Sequence, residues 1–281
     1  MRFGIKTAPQ HTTWAAMLDV WREADDIDVF ESAWNFDHFY PIFSDSTGPC
    51  LEAWTMLAAM AQSTKRIRLG CQVTGMIYRH PAVLANMAAT VDVISDGRLI
   101  LGLGAGWNQE ECDAYGIDLP PLRERFDRFD EGTEAIVRLL SDSVTTFEGR
   151  YVQLRDARCE PKPVQRPHPP IAIGGTGEKR TLRTVARFAQ HWNALVPDVA
   201  TWQAKRDVLW RHCADVQRDP AEIETSVNVR YDESAGPSAA AETAARWAEA
   251  GVDVAIVALP TPHDPAVVGP IADAVKAAGL T

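Results

Sequence analysis

Short aliphatic and β-branched runs alternate along the chain with longer stretches in which apolar residues recur every three or four positions. The first pattern marks strands and the second marks helices with one apolar face. Strands are expected at Arg2–Lys6, Ser32–Phe36, Ile67–Val73, Arg98–Leu103, Ile171–Ile173, Asn193–Val196, Ser226–Tyr231 and Val252–Leu259. Helices are expected from about Trp14, over Leu51–Ser63, from Pro81 to about Ile94, near Asn108–Tyr115, and over Leu122–Leu140. Others follow from about Gly177 to Ala189, near Ala200–Val216, over Ala239–Ala250, and over Pro265–Ala278. Thr12 or Thr13 is placed to cap the first helix, with Trp14, Met17, Leu18 and Trp21 on its apolar side. Pro81 suits a first helical turn.

Eight strand–helix units imply a parallel sheet with helical crossovers. A closed (β/α)8 TIM barrel takes about 250 residues, and 281 are present; a doubly wound open sheet is the alternative. One excursion, Ser143–Pro170, interrupts the alternation. Thr145–Phe147 and Tyr151–Gln153 flank Glu148-Gly149-Arg150 as a small hairpin, and a proline-rich stretch then crosses in extended form. No composition shift or internal repeat marks a second domain, so residues 1–281 read as a single barrel domain.

Charge and cysteines narrow the function classes. A net charge of −10 argues against nucleic-acid binding, which needs clustered Lys and Arg. The five cysteines form no CxxC pair, which disfavours zinc ribbons and disulfide frameworks and suits a reducing cytoplasm. The opening MRFGIKTAPQ reads as a strand rather than a signal peptide, and no apolar run approaches a membrane span. No two histidines stand at metal-ligand spacing, so no metal is expected. There is no G-x-S-x-G, so a serine hydrolase is poorly supported.

In a barrel of this kind the chemistry lies where strands end and βα loops begin. Asp37 and His38 follow the second strand among aromatic residues. His38 there can act as acid or base or donate to a bound ring, or the two can form a structural pair. Gly75, in Cys71-Gln72-Val73-Thr74-Gly75, permits close backbone approach or a simple turn. Gly102, Gly104 and Gly106 leave one side of the fourth strand bare, either for a flat group to press against or for tight packing. Their spacing is not G-x-G-x-x-G. Gly174-Gly175-Thr176-Gly177 joins the fifth strand to a helix, where freed amides make an anion site that Thr176 and Lys179 or Arg180 can complete. Glu110 and Glu111 are expected on the exposed start of a helix, favoured by its dipole. His80, His168 and His263 are expected in loops, His191 and His212 on the surface or in packing, and Trp14, Trp21, Trp54 and Trp210 in the core.

Four ordered segments together resemble the luciferase-like monooxygenase superfamily of flavin and deazaflavin enzymes. They are Phe36-Asp37-His38-Phe39; Tyr78-Arg79-His80-Pro81 leading to Asp92–Arg98; Leu101–Trp107; and Ile173–Arg180. The likeness is greatest to the branch that uses the deazaflavin coenzyme F420. It implies a TIM barrel, usually a homodimer, and a third-strand bulge at Gln72-Val73 that backs the ring, often through a cis peptide. It implies that Gly174–Gly177 holds the cofactor phosphate. Asp37 and His38 would lie beside the reactive edge of the ring, and Gly106-Trp107-Asn108 would line the pocket. Sugar- and alcohol-oxidising members carry Trp at the position of Ile42 and Glu at that of Trp107, which argues against their substrates.

The expected activity is hydride transfer between F420 and a small organic substrate. His38 would be the acid/base or ring-orienting group, and Asp37 would fix it or bind the polar edge of the ring. The alternatives are a two-component monooxygenase using reduced FMN, which needs a reductase partner, and a flavin-binding protein without turnover.

Overall fold

A computed structural model describes residues 1–281. Eleven strands form in chain order: β1 (Arg2–Thr7), β2 (Phe30–Asn35), β3 (Arg68–Cys71), β4 (Thr74–Gly75), β5 (Leu99–Gly104), β6 (Thr145–Glu148), β7 (Gln153–Ala157), β8 (Ile171–Gly174), β9 (His191–Ala194), β10 (Glu224–Arg230) and β11 (Val254–Leu259). Nine α-helices accompany them: α1 (Trp14–Asp26), α2 (Ala53–Ser63), α3 (Pro81–Ile94), α4 (Gln109–Tyr115), α5 (Leu122–Ser141), α6 (Thr181–Phe188), α7 (Val199–Asp215), α8 (Gly236–Glu249) and α9 (Val268–Ala277).

β1, β2, β3, β5, β8, β9, β10 and β11 pair in parallel. The ring closes where Leu69 and Gly70 of β3 meet Leu99 and Ile100 of β5. This is the closed (β/α)8 barrel, and the open-sheet alternative falls. α1 starts at Thr13, whose hydroxyl accepts from the Ala16 N–H.

Two strand expectations need correction. The third strand does not run unbroken to Val73: it stops at Cys71, passes through a cis peptide at Gln72-Val73, and resumes as β4. The hairpin's second arm is Gln153–Ala157 rather than Tyr151–Gln153. That arm is largely exposed and leaves no apolar alternation to read.

The core has two parts. Most of it lies between strands and helices, around Phe3, Trp21, Trp54, Phe129 and Trp192. Trp14 and Trp210 pack against this layer only partly buried. A smaller group, Trp34, Ile100, Ala172, Val254 and Ile256, fills the barrel's interior. Trp34 fits there because two neighbours lack side chains. A Cβ on Gly70 would come within 2.7 Å of its ring, and one on Gly4 within 3.3 Å of its indole nitrogen. Truncating a buried tryptophan typically costs about 3–5 kcal/mol, so this plug stabilises the scaffold under the site.

Candidate active site

β2 ends at Asn35, and the chain turns outward through Phe36, Asp37 and His38 at the barrel's C-terminal mouth. Asp37 and His38 are both buried. His38 Nδ1 lies 2.8 Å from Glu111 Oε2, and the Tyr78 hydroxyl donates to the same oxygen at 2.8 Å. The other Glu111 oxygen accepts the Phe39 N–H. An ionised carboxylate only accepts, so Nδ1 of His38 carries a proton, and in the neutral tautomer Nε2 is the acceptor. Nε2 has no hydrogen-bond partner in the chain and is not sealed from solvent. Phe36, Tyr78 and Trp107 meet the imidazole edge-on, at 5.1, 6.2 and 5.5 Å between ring centres.

Glu111 is thus wholly buried, contrary to the expectation of an exposed helix start. The Asn108 side chain caps α4 by accepting the Glu111 N–H at 3.3 Å, and that turn aims Glu111 inward while Glu110 stays outside. Burial pushes the Glu111 carboxyl up, but the hydrogen bonds from His38 and Phe39 and the nearby imidazole outweigh it and hold the group below its ordinary range. Burial, together with Glu111's charge, raises Tyr78. Cys50, whose thiol donates to the His38 carbonyl at 3.3 Å, is pushed up to about 12 by burial and by Glu111 and Asp37. It stays a thiol, which removes it as a nucleophile.

Asp37 serves a different partner. Arg79 donates to both of its oxygens, at 3.1 Å for the longer bond, and reaches Glu52 at 2.6 Å. Glu52 in turn caps α2 through the Trp54 and Thr55 amides. Burial raises the Asp37 carboxyl and Arg79 only partly reverses this. Asp37 was expected to fix His38 or to bind the polar edge of the ring; the group that holds His38 is Glu111. Sequence reasoning gave Glu111, Tyr78 and Arg79 no role. The only available signal was the Asn108-x-x-Glu111 spacing, which by itself reads as a helix start.

The bare face of β5 is filled by the protein itself. A Cβ on Gly102 would lie 1.8 Å from the Cys71 carbonyl oxygen, and one on Gly104 2.6 Å from Val73 Cγ2. A Cβ on Gly174 would lie 3.1 Å from Val73 Cγ1, so glycines on two strands, β5 and β8, make room for the Gln72-Val73 bulge. Lys6, at the end of β1, donates to Gln72 Oε1 at 2.9 Å and to its carbonyl at 3.3 Å. Burial lowers this amine to about 8, against a small opposing effect of Cys71. Gln72 Nε2 is buried with no partner. Gly75 leaves room for the Tyr78 ring, and Gly106 turns at φ +88° against Ile77.

On β8, Gly174-Gly175-Thr176-Gly177 leads into α6. Gly175 adopts φ +120° and accepts the Trp192 indole N–H at 2.8 Å. A Cβ on Gly177 would crowd the Thr181 hydroxyl at 2.8 Å. No side chain caps α6; the Leu182 N–H is taken by the Gly177 carbonyl at 3.0 Å, which leaves the Thr181 and Arg183 amides for another acceptor. Thr176 makes no side-chain hydrogen bond and Lys179 is exposed. Arg180 is not available to an anion, because Asp127 and Asp130 each hold it at 2.8 Å.

The other histidines have structural partners. His80 caps α3, His263 is buried between the Ala8 and Pro260 carbonyls, and His191 is buried on β9. No cluster of acidic, histidine or cysteine side chains could hold a metal. A concavity of about 690 Å³ lies at the opposite end of the barrel beside Met1, Arg2 and Asp253. It gathers no acid/base pair with an open valence. The mouth does, and barrel catalysis is built there, so the mouth is the candidate site.

Comparison with known proteins places the chain in a family and a fold. The sequence profile described as luciferase-like monooxygenase matches residues 1–276. An uncharacterized protein of Mycobacterium tuberculosis is 31% identical over 210 residues, 75% of this chain and 70% of that one. The F420-dependent glucose-6-phosphate dehydrogenase of Kineococcus radiotolerans is 34% identical over 179 residues, 63% of this chain and 52% of its own length. Among solved structures, an F420-dependent secondary alcohol dehydrogenase superposes with a TM-score of 0.87 at 19% identity, over 99% of this chain and 98% of that one, a likeness of fold. No helix is long and apolar enough to cross a membrane. With the profile spanning nearly its whole length, the chain belongs to the luciferase-like monooxygenase family.

Proposed function

We propose that this chain is an F420-dependent oxidoreductase that moves a hydride between the deazaflavin and a small organic substrate, with His38 as the acid/base. The observation that carries the reading is the half-committed imidazole: Nδ1 is fixed by buried Glu111 while Nε2 faces the mouth without a protein partner. Such a group can hand over or take up one proton in a fixed direction, which is what a carbon-centred hydride transfer asks of the protein. The deazaflavin, when bound, supplies the hydride.

The chain's features fit that cofactor. The Gln72-Val73 bulge gives a backbone surface for a ring, and Gln72 Nε2 is a buried donor in want of an acceptor. The uncapped start of α6 behind Gly174, Gly175, Thr176 and Gly177 suits a phosphate. Trp107 and Gly106 border the ring site. Asn108 contributes through its helix cap rather than by direct contact. Asp37, anchored on Arg79, supports the wall beside His38. We also take the chain to act as a homodimer through α3, which exposes Val83, Val93 and Ile94. Light scattering that gives a monomer mass at micromolar concentration would remove the dimer.

The deciding experiment titrates the purified protein with F420 and, separately, with FMN, followed by fluorescence. Tighter F420 binding supports the proposal. Tighter FMN binding, with oxygen uptake when reduced FMN is supplied, replaces it with the two-component monooxygenase. Binding without hydride transfer to any acceptor leaves a flavin-binding protein.

A further inference from the structure

Two aromatic rings stand over His38 in a way that packing does not explain. Phe43 is 91% exposed and Trp107 50% exposed, yet their rings lie parallel, 6° apart in plane and 5.5 Å between centres. Trp107 also meets the His38 ring edge-on. Leaving a phenyl ring in water forgoes the free energy of burying it, so the pair is held out at a cost.

The backbone enforces that presentation. Phe43 adopts φ +57°, a region that bulky residues rarely enter. The peptide just before it is clamped on both sides by one side chain: Gln10 Nε2 donates to the Ile42 carbonyl at 3.1 Å, and Gln10 Oε1 accepts the Ile42 N–H at 2.7 Å. A strained residue persists only where its surroundings over-determine it, and such residues gather at ligand sites.

The charged groups around His38 are already engaged. Asp37 holds Arg79, Arg79 holds Glu52, and Glu111 holds His38, Tyr78 and the Phe39 amide. What this side of the mouth offers a ligand is therefore aromatic surface next to one imidazole nitrogen. Resting on the oxidoreductase reading above, we propose that Phe43 and Trp107 form a stacking platform for a flat, conjugated, uncharged substrate whose reacting atom lies beside His38. A ring with a conjugated hydroxyl matches all three features: its face stacks, its O–H donates to Nε2, and it carries no charge that the engaged groups would have to balance.

The test uses two probes of one size, flat 2-naphthol and puckered decahydro-2-naphthol, titrated calorimetrically into cofactor-free protein and into protein carrying F420. The platform predicts that 2-naphthol binds about 10-fold more tightly than its saturated counterpart. Phe43→Ala and Trp107→Leu should each remove about 3–10-fold of that preference. Gln10→Ala should weaken it through the backbone of Phe43, with Gln10→Glu, which keeps the acceptor, less affected. Equal binding of the two probes to the native protein overturns the platform, as does an unchanged preference in Phe43→Ala. Phe43 is almost fully exposed, so its truncation leaves the fold intact. Failure to bind F420 with the naphthol preference intact would count against the oxidoreductase reading and leave the platform standing.

Discussion

The barrel holds two histidine–glutamate pairs with a buried histidine, one at each end, and their differences separate chemistry from architecture. At the C-terminal mouth His38 Nδ1 meets Glu111 at 2.8 Å under Trp107. At the N-terminal end His191 Nδ1 lies 3.1 Å from Glu224 under Trp34, with centres 5.6 Å apart. The second pair is closed. His191 Nε2 binds the Ser226 hydroxyl at 2.6 Å, and Glu224 is tied to Arg2. Nε2 is committed to Ser226, Nδ1 is sealed from solvent beside Glu224 without an aligned hydrogen bond, and Trp34 packs edge-on against the ring. The first pair leaves Nε2 open. The same two residue types make a joint whose ring nitrogens are both shut off from solvent and a site where one nitrogen stays open.

Substitutions that open or close each pair test this contrast. The largest effect is expected from His38→Ala, which should lower turnover by about 10²–10⁴-fold with cofactor affinity nearly unchanged. Steady-state kinetics at saturating cofactor check it, and native turnover would end the assignment. Glu111→Gln should come next. It leaves Nδ1 without a charged acceptor and frees the tautomer, so turnover falls by about 10-fold or more while KM moves little. An unchanged kcat would show that Glu111 only packs.

At the other end, His191→Asn should spare turnover and cost about 1–3 kcal/mol of stability through the stranded Glu224 carboxylate. Thermal unfolding should show this as a loss of several degrees; a collapse of kcat with an unaltered melting point would reverse the two roles. The smallest effect is on pH dependence. Burial raises the Glu224 carboxyl, but the His191 hydrogen bond and charge, with Arg2 and Arg68, bring it below the ordinary 4.5. Its contribution to stability is therefore complete above pH 4.5 and is lost as pH falls through the lower folded value. Native protein and Glu224→Gln should differ in melting temperature at neutral pH and converge in acid. A gap that widens in acid would contradict the sign. Asp37, raised by burial, acts the other way, favouring the folded state at low pH and losing that contribution as pH rises through its folded value.

Sequence reading located the mouth well and its wiring poorly. The strand end that carries His38 and the Gly174–Gly177 turn were legible, because strand ends and glycine spacing are local properties; the Gln72-Val73 bulge was implied only by the family resemblance, since the local pattern reads as one unbroken strand. Glu111 was not. It sits 73 residues from His38 and beside a second glutamate that stays in solvent, and only the direction in which α4 leaves β5 separates them. Gly102 and Gly104 were visible as a bare face, but their occupant, Val73, comes from another strand. The Arg180 guanidinium looked free for an anion until α5 brought Asp127 and Asp130 against it.

Periodicity, caps and chain length thus determined the eight βα units, and short-range spacing determined which strand ends could carry chemistry. Tertiary structure alone decided which histidine keeps a free nitrogen, which carboxylate holds it, and which rings are left exposed above it. The reason is physical. Secondary structure follows from interactions over a few residues, whereas the state of a buried polar group depends on whatever partner the folded chain delivers to within 3 Å or so.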